Sequence, residues 1–209
     1  MRSLKNSKLY LILDADVHPY EELLKIARQS VEAGVDIIQL RDKKGTARDI
    51  LTFSEKLKKI IKRRIPFIIN DRIDVALAAG ASGVHLGQED LSITLARKLM
   101  GPRAIIGVSC QNLKAAKIAQ TQGANYIGFG SAFRNLTKPK RRPMDLRLLH
   151  RVIGQIRIPM FAIGGINITN LRILAHQGVR RIAVCRAICE ARDIAKTVKL
   201  FREQLDQLQ

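Results

Sequence analysis

The sequence predicts an α/β fold, a single (β/α)8 TIM barrel, and three observations carry that prediction. Eight short apolar segments recur along the 209 residues, each followed by an amphipathic stretch. Four of them belong to a loose internal repeat: AGVDIIQLR, AGASGVHLG, QGANYIGFG and QGVRRIAVC. No linker or low-complexity segment divides the chain, so residues 1–209 are expected to form one domain. Strands that alternate with helices form right-handed βαβ units. Eight even units without a long switch segment favour a closed barrel over an open doubly wound sheet.

The apolar runs and the stretches between them define the elements in order. Short apolar runs predict strands near residues 9–13, 35–41, 66–70, 83–86, 104–109, 126–130, 159–164 and 181–185. Amphipathic stretches predict helices near residues 20–32, 46–63, 72–79, 92–100, 112–122, 145–156, 169–177 and 190–208. Each repeated glycine follows a helical pattern. This is the position expected of a helix C-terminus, which favours a residue that tolerates positive φ.

The charge of the chain is unusual, with 37 Lys and Arg against 18 Asp and Glu, a net charge of +19. Such an excess favours anionic partners such as phosphates or nucleic acid. In KLKKIIKRR (56–64) the apolar residues recur at helical spacing, so these cations are expected on the solvent face of a helix. The second basic run, KPKRRP (138–143), lies in a predicted loop. Aromatic residues make up only 4% of the chain, which disfavours base stacking and therefore RNA binding.

Three cysteines, Cys110, Cys185 and Cys189, form neither a metal-ligand pattern nor an even-numbered disulfide framework. We interpret them as free thiols in a reducing compartment. No apolar run approaches the roughly 18–20 residues that span a bilayer, and the five-residue apolar run near the N-terminus is too short for a signal peptide. A cytoplasmic protein without membrane partners is expected, and nothing in the sequence fixes its oligomeric state.

Polar side chains follow most of the predicted strands. In GVDIIQLRDKKG, Gln39, Arg41 and Lys43 stand at alternating positions, so an extended chain would direct all three to one side. Residues that follow other strands include Asn70, Asp71, Asp90, Ser109, Lys138 and the glycines of IGGIN. Reactive groups of such barrels gather at the C-terminal ends of the strands. These side chains are therefore expected to meet at the mouth of the barrel.

The residue types at these strand ends suit the binding of phosphate groups and of a metal ion that accompanies them. Arg41, Lys43 and Lys138 are cations that can grip phosphate oxygens. Asp71 and Asp90, two carboxylates among many cations, suggest Mg²⁺, which binds through one or two carboxylates plus substrate phosphates. Glycines near strands seven and eight suit a second phosphate. The pattern thus predicts a diphosphate with Mg²⁺ and a separate monophosphate.

Each of these features also has a purely structural interpretation. Gln39, Arg41 and Lys43 suit a surface ion network equally well. Asp71 and Asp90 each stand just before a predicted helix, where a carboxylate can cap the free backbone N–H groups. His85 alternates with apolar residues on a strand, which favours a structural role inside the barrel.

Several motifs together resemble the thiamine phosphate synthase family, in the superfamily it shares with the thiazole tautomerases. They are QLRDK, NDRIDVALAAGASGVHLGQED, IIGVS, YIGFGSAF with a following TK, and AIGGI. The resemblance runs from about residue 9 to residue 188, and NDR with GVHLGQED is its specific part. It implies an enzyme that joins hydroxymethylpyrimidine diphosphate to thiazole phosphate and releases diphosphate. Cations and Mg²⁺ would stabilise the leaving group, and no side-chain nucleophile would be needed.

The resemblance also implies roles for individual positions. A pyrimidine diphosphate site falls on Gln39, Arg41, Lys43, Asn70, Ser109 and Lys138, with Arg41, Lys43 and Lys138 as the catalytic cations. Magnesium ligands fall on Asp71 and Asp90. A thiazole phosphate site falls on Asn135, Thr137, Gly165, Cys185 and Arg186.

The sequence departs from the family pattern on the thiazole side. Arg134-Asn135-Leu136-Thr137-Lys138 replaces a Pro-Thr-x-Thr-Lys run, Ser131 replaces a proline and Arg186 replaces a serine. Two alternatives to synthesis of thiamine phosphate therefore stay open. One is a relative with an altered acceptor site, such as a thiazole tautomerase, although Asp71 and Asp90 argue against that reaction. The other is a basic barrel that binds phosphate or RNA without catalysis.

Overall fold

The computed structural model describes residues 4–62, 64–134 and 142–208. Eight parallel strands close a barrel in chain order, and the first strand pairs with both the second and the eighth. The strands are β1 (Leu9–Asp14), β2 (Ile37–Arg41), β3 (Phe67–Asn70), β4 (Gly83–Leu86), β5 (Ile105–Cys110), β6 (Tyr126–Phe129), β7 (Met160–Ile163) and β8 (Ile182–Val184). The predicted closed barrel is confirmed, and each strand overlaps the apolar run that predicted it.

Helices surround the barrel, and most of them follow a strand directly. They are α1 (Tyr20–Ala33), α2 (Ala47–Ile61), α3 (Ile73–Ala78), α4 (Ile93–Met100), α5 (Leu113–Thr121), α6 (Arg147–Ile153), α7 (Leu171–His176), α8 (Arg186–Cys189) and α9 (Ile194–Asp206). A short 3-10 helix (Leu4–Asn6) precedes β1. Among the helices of the described residues, none is long and apolar enough to cross a membrane.

The last predicted helix, 190–208, begins later than its apolar pattern suggests. Asp193 stands in extended conformation and its side chain accepts a hydrogen bond of 2.8 Å from the Lys196 N–H, so it caps α9 there. The extra helix α8 is a single turn directly after β8. Because so short a helix presents hardly more than one turn of periodicity, the apolar pattern could not reveal it.

The hydrophobic core has two layers. The outer layer lies between strands and helices, and α2 illustrates it: Phe53 and Leu57 are buried, whereas Lys56 and Lys59 on the same helix are exposed. These cations occupy the solvent face of the helix, as predicted. The inner layer fills the barrel with Tyr10, Ile12, Ile37, Ile68, Ile105, Tyr126, Phe161 and Ala183. A filled interior leaves room for a site only at the mouth.

Candidate active site

Two adjoining cavities open at the C-terminal ends of the strands. The carboxylate cavity, about 250 Å³, is lined by residues that include Lys43, Asp71 and Asp90. The apolar cavity, about 310 Å³, is lined by residues that include Ile12, Phe161, Ile163, Gly165, Cys185 and Arg186. Four residues line both cavities: Arg41, Asn70, His85 and Ser109. Two ligands could therefore lie side by side, with these four residues between them.

Asp71 follows β3 in an unusual backbone conformation. Its φ of 62° lies in the left-handed region, which an aspartate tolerates better than most residues. Its N–H donates to the His85 carbonyl, 2.9 Å away, so the turn is fixed to β4. The carboxylate accepts a bond of 2.6 Å from Lys43 Nζ. Asp71 does not cap α3, whose first cap position is Arg72 and carries no capping hydrogen bond.

Asp90 lies in the loop after β4, beside the Asp71 carboxylate. Its Oδ2 accepts a hydrogen bond of 2.6 Å from the Gly87 N–H. Burial and the neighbouring Asp71 raise the pKa of Asp90, although the Gly87 hydrogen bond opposes the change. The cap of α4 is Ser92, whose side chain accepts from the Leu95 N–H, so Asp90 is not a cap either.

The chemistry of this pair fits a hard divalent cation. Two carboxylates in contact repel one another unless a positive charge lies between them. Across the described ranges, no group of three or more His, Cys, Asp and Glu side chains gathers in a metal-binding arrangement. A cation at Asp71 and Asp90 would therefore complete its shell with water or ligand oxygens, as Mg²⁺ commonly does.

Arg41 is held rigidly at the boundary of the two cavities. Its Nη1 donates to both oxygens of the buried Asp14 carboxylate, at 2.8 and 2.9 Å, and to Asp16 Oδ2 at 3.2 Å. Arg41 and Lys43 thus do take part in ion pairs, as the structural interpretation expected. The same contacts leave both cations on the walls of the cavities, where an anion can reach them.

Glycine makes the close contact between the β6 and β7 loops possible. Gly165 has a φ of +63°, and a Cβ there would clash with the Arg134 carbonyl oxygen. Arg134 itself is exposed and lines the apolar cavity. Arg186 lines the same cavity and forms an ion pair with Glu190, the residue that follows α8. Two arginine side chains therefore line the apolar cavity.

The cysteines are free thiols, as predicted. Cys185 and Cys189 lie one helical turn apart, and the Cys189 N–H donates to the Cys185 carbonyl at 2.9 Å. Its hydrogen bond to Cys189 and its burial raise the pKa of the Cys185 thiol. Burial raises the pKa of Cys110 to about 12. Neither of these two thiols suits a nucleophile, because a thiol attacks as the thiolate.

A chain of buried polar groups crosses the floor of the site, and its middle members were not identified from the sequence. Gln39 Nε2 donates to the Tyr10 hydroxyl at 2.6 Å, and the hydroxyls of Tyr10 and Tyr126 are 2.8 Å apart. His85 then bonds Tyr126 through Nδ1 and Ser109 through Nε2, each at 3.0 Å. The alternation along β1 and β6 is consistent with both tyrosines facing inward. An inward tyrosine on a strand is usually only a packing residue of the core, so the pattern did not indicate a role in the site.

The structure brings most of the predicted site residues together. Those described around the two cavities are Gln39, Arg41, Lys43, Asn70, Asp71, Asp90, Ser109, Gly165, Cys185 and Arg186. Asn135, Thr137 and Lys138 lie outside the described residues. His85 faces the barrel interior, as its alternation suggested, and it contacts Ser109. All six phenylalanines and three tyrosines are buried or partly buried, and only Tyr20 and Phe133 are partly exposed.

The family model and the relatives that are at least 35% identical agree on one family. The model of the family described as Thiamine monophosphate synthase matches residues 9–188. A thiamine-phosphate synthase of Halalkalibacterium halodurans is 40% identical over 208 residues, 98% of each chain. One of Gloeobacter violaceus is 41% identical over 98% of this chain, which spans 59% of the length of that relative. A solved thiamine phosphate pyrophosphorylase of Pyrococcus furiosus superposes with a TM-score of 0.87 and 35% identity over 96% of each chain.

Proposed function

The chain belongs to the thiamine monophosphate synthase family, so its reaction is the synthesis of thiamine phosphate, and we propose how its site performs that reaction. In this proposal it joins hydroxymethylpyrimidine diphosphate to thiazole phosphate with Mg²⁺ and releases diphosphate. The observation that carries the proposal is the pairing of a carboxylate cavity with an apolar cavity across four shared residues. That arrangement suits a diphosphate beside two ring systems.

The donor half of the site is the carboxylate cavity together with Gln39. Asp71 and Asp90 would hold Mg²⁺, which when bound neutralises charge that develops on departing diphosphate. Lys43, whose side chain is 49% exposed, can exchange its bond to Asp71 for one to a phosphate oxygen. Arg41 supplies a fixed second positive charge, because Asp14 and Asp16 hold its guanidinium in place.

The acceptor half of the site is the apolar cavity. Ile12, Phe161 and Ile163 line it with apolar surface that suits a thiazole ring. Arg134 and Arg186 line this cavity and would bind the thiazole phosphate, with the Arg186 guanidinium in place of the serine hydroxyl of the family pattern. Roles for Asn135, Thr137 and Lys138, as further contacts to the two phosphorylated substrates, remain part of the proposal.

Alignment and electrostatics account for the catalysis. The site lies at the mouth of a filled barrel, so both substrates enter from one side and meet near Ser109. Holding the two reacting atoms together avoids the entropy loss of a bimolecular encounter. The protonated thiols of Cys110 and Cys185 fit a reaction without a side-chain nucleophile. Three free cysteines also support our proposal of a cytoplasmic location.

The test is a coupled assay on the purified protein. Diphosphate release and thiamine phosphate are measured together, with pyrimidine diphosphate, Mg²⁺ and thiazole phosphate present, and again with EDTA in place of Mg²⁺. We expect equal amounts of both products and loss of both with EDTA. Binding of the pyrimidine diphosphate without product would mean that the Arg134 and Arg186 side takes another acceptor. Full activity in EDTA would overturn the metal assignment.

Arg186→Ser tests the acceptor side separately. If Arg186 binds the thiazole phosphate, the variant raises the KM for that substrate about tenfold, the worth of one charged hydrogen bond, and leaves the KM for the pyrimidine diphosphate unchanged. Arg172→Ser is the matched control, because Arg172 lies on α7 and lines neither cavity. Equal KM values for thiazole phosphate in both variants would show that Arg186 does not bind this substrate.

A further inference from the structure

The hydrogen bonds of the buried polar chain from Gln39 to Ser109 have a direction as well as partners. We propose that this chain has a single direction: every hydrogen points from Gln39 towards Ser109, so that Ser109 must offer its own hydrogen to the bound substrate. Tyr10, Tyr126 and His85 are then positioning residues that act through Ser109. The inference rests on the proposed function only for the identity of the acceptor, a lone pair of the pyrimidine diphosphate.

The direction is set at the Gln39 end. The Gln39 side chain presents its amide nitrogen to Tyr10, and an amide nitrogen can only donate. Among the described residues, the Tyr10 hydroxyl bonds only Gln39 and Tyr126. Tyr10 is 1% exposed, so its hydrogen cannot turn to bulk water. The hydrogen of Tyr10 therefore goes to the oxygen of Tyr126. The opposite direction would leave a buried O–H group without an acceptor, which is unfavourable.

The direction then passes through the imidazole ring. Tyr126 has accepted from Tyr10, so its own hydrogen goes to His85 Nδ1. A ring nitrogen that accepts carries no hydrogen, and in a neutral imidazole the hydrogen then lies on Nε2. His85 Nε2 consequently donates to Ser109 Oγ. The Ser109 hydroxyl has accepted one hydrogen bond and retains a hydrogen to give away.

The barrel interior is shaped around this chain. A Cβ at Gly107 would clash with the Tyr126 ring, and one at Gly128 would lie 3.2 Å from His85 Cε1. Glycine at these inward positions of β5 and β6 is what admits the two rings. His85 and Tyr126 stack with centroids 5.5 Å apart, and Phe161 packs edge-on against Tyr126 at 5.6 Å. Burial raises the pKa of both tyrosine hydroxyls, so both keep the hydrogen that the chain requires.

The consequence concerns substrate recognition. Ser109 lines both cavities, so its hydrogen can reach the place where the two ligands would meet. The substrate atom at that place must be an acceptor, such as a phosphate oxygen or a ring nitrogen without hydrogen. A ligand that presents only an N–H group there is disfavoured, because it would occupy the second lone pair of Ser109 Oγ and leave the Ser109 hydrogen without an acceptor. The buried polar chain thus selects the orientation of the pyrimidine diphosphate.

The first test measures the hydrogen position directly. Protein with ¹⁵N-labelled histidine contains four histidines, and the His85 signals are those lost in His85→Gln. We expect nitrogen shifts of the tautomer with hydrogen on Nε2 in the ligand-free protein. Tyr126→Phe should convert His85 to a mixture of tautomers, and Tyr10→Phe supplies a second variant that breaks the chain one step earlier. A wild-type hydrogen on Nδ1, or a His85 tautomer unchanged in both variants, would overturn the direction.

The second test asks whether Tyr126 acts through Ser109. Tyr126→Phe should lower kcat/KM for the pyrimidine diphosphate about tenfold in the wild-type background and less than about twofold in Ser109→Ala, a difference within the range of coupled neighbours. Ile68→Val is the control, since Ile68 belongs to the same inner layer without a polar group, and its effect should be equal in both backgrounds. An equal loss for Tyr126→Phe in both backgrounds contradicts the inference. A wild-type protein without product would instead refute the proposed function, while the ¹⁵N measurement would still decide the direction.

Discussion

Asp90 is a partly buried carboxylate beside a second one, and its ionised form is therefore disfavoured in the folded protein. Burial and Asp71 raise its pKa above the ordinary value, so at neutral pH the ionised group lowers the stability of the fold without metal. We expect Asp90→Asn to raise the Tm in EDTA by about 1–3 °C. Turnover and the rise in Tm on adding Mg²⁺ with pyrimidine diphosphate should both be lost. Thermal unfolding with and without these ligands measures both effects.

Asp74, on the neighbouring helix α3, is the control with the opposite sign. Its hydrogen bond to Arg72 lowers the pKa of Asp74 to about 2, so here the ionised form is favoured in the fold. This stabilisation is present above the pKa of the unfolded chain and disappears as the pH falls towards 2. Asp74→Asn should therefore lower the Tm slightly at neutral pH and leave turnover intact. A rise in Tm for both variants would mean that removing any negative charge has the same effect.

Single residues of the site were predictable where their chemistry is unusual for their position. Arg41 and Lys43 at the end of an apolar strand, and Asp71 among cations, are conspicuous in the sequence. Tyr10 and Tyr126 are not, because each is an aromatic residue in an apolar strand. Their function depends on a neighbour that is 116 positions away along the chain, a distance that no local pattern spans.

The loop between β2 and α2 carries Lys43, and one hydrogen bond from α1 fixes it. The Tyr20 hydroxyl donates to Asp42 Oδ2, while the N–H groups of Lys44 and Gly45 donate to Asp42 Oδ1 at 2.8 and 2.7 Å. Tyr20→Phe keeps the ring packing against Phe53 but loses the bond to Asp42. We expect KM for the pyrimidine diphosphate to rise about three- to tenfold, because Lys43 loses its fixed position.

The measurement for Tyr20→Phe is steady-state kinetics with each substrate varied in turn. The KM for thiazole phosphate should stay within error, since the β2 loop lies on the donor side. Thermal unfolding serves as the check that the loop, and not the whole barrel, has changed. A rise in both KM values with a large fall in Tm would point to a global effect and contradict the local interpretation.

At the opposite end of the barrel, Asp36 joins α9 to β1. Its Oδ2 accepts from the N–H groups of Lys8 and Leu9 at 2.8 and 2.9 Å and from Arg202 Nη1 at 2.7 Å. Asp36 is buried, so Asp36→Ala removes the acceptor of two backbone N–H groups and the buried partner of Arg202, and it should lower the free energy of unfolding by about 3 kcal/mol. Urea unfolding measures the loss. Activity of the folded variant should be unchanged because the contact lies far from the mouth.

Asp206→Ala is the matched control for Asp36→Ala. Asp206 contacts the same Arg202 and also Lys8, but from an exposed position. An exposed ion pair contributes about 0–1 kcal/mol, so this variant should differ little from wild type. If both variants lose the same free energy of unfolding, the stabilisation comes from pairing with the charge of Arg202 and not from the buried carboxylate.

The elements were predicted well because each strand is buried on both faces and most helices bury one face. The burial pattern of β1 to β4 contains almost no exposed position, as expected for parallel strands covered by helices. The exceptions are short or locally capped. The turn α8 has too few residues for a pattern, and Asp193 delays the start of α9 by its own hydrogen bond. Capping side chains fix helix ends more sharply than apolar periodicity does.

For the whole molecule, the most unusual property is the net charge of +19. Lys56 and Lys59 of α2 lie on the solvent face, and the aromatic residues are buried or partly buried. Both proposed substrates and the released diphosphate are anions. A positive field around the mouth would raise the rate at which these substrates arrive, without changing the reaction of the bound complex.

A field of this kind is screened by salt, so the substrates should arrive more slowly as salt is added. Between about 0.05 and 0.5 M NaCl at constant Mg²⁺, kcat/KM for both substrates should fall about three- to tenfold while kcat changes little. Reversing two charges on the solvent face of α2, Lys56→Glu with Lys59→Glu, should lower kcat/KM at low salt and flatten its dependence on salt. Both lysines lie near the C-terminal end of α2, away from the mouth, so kcat should be unaffected. If kcat/KM is independent of salt in both proteins, substrate attraction does not explain the charge, and competition by RNA becomes the measurement that decides its role.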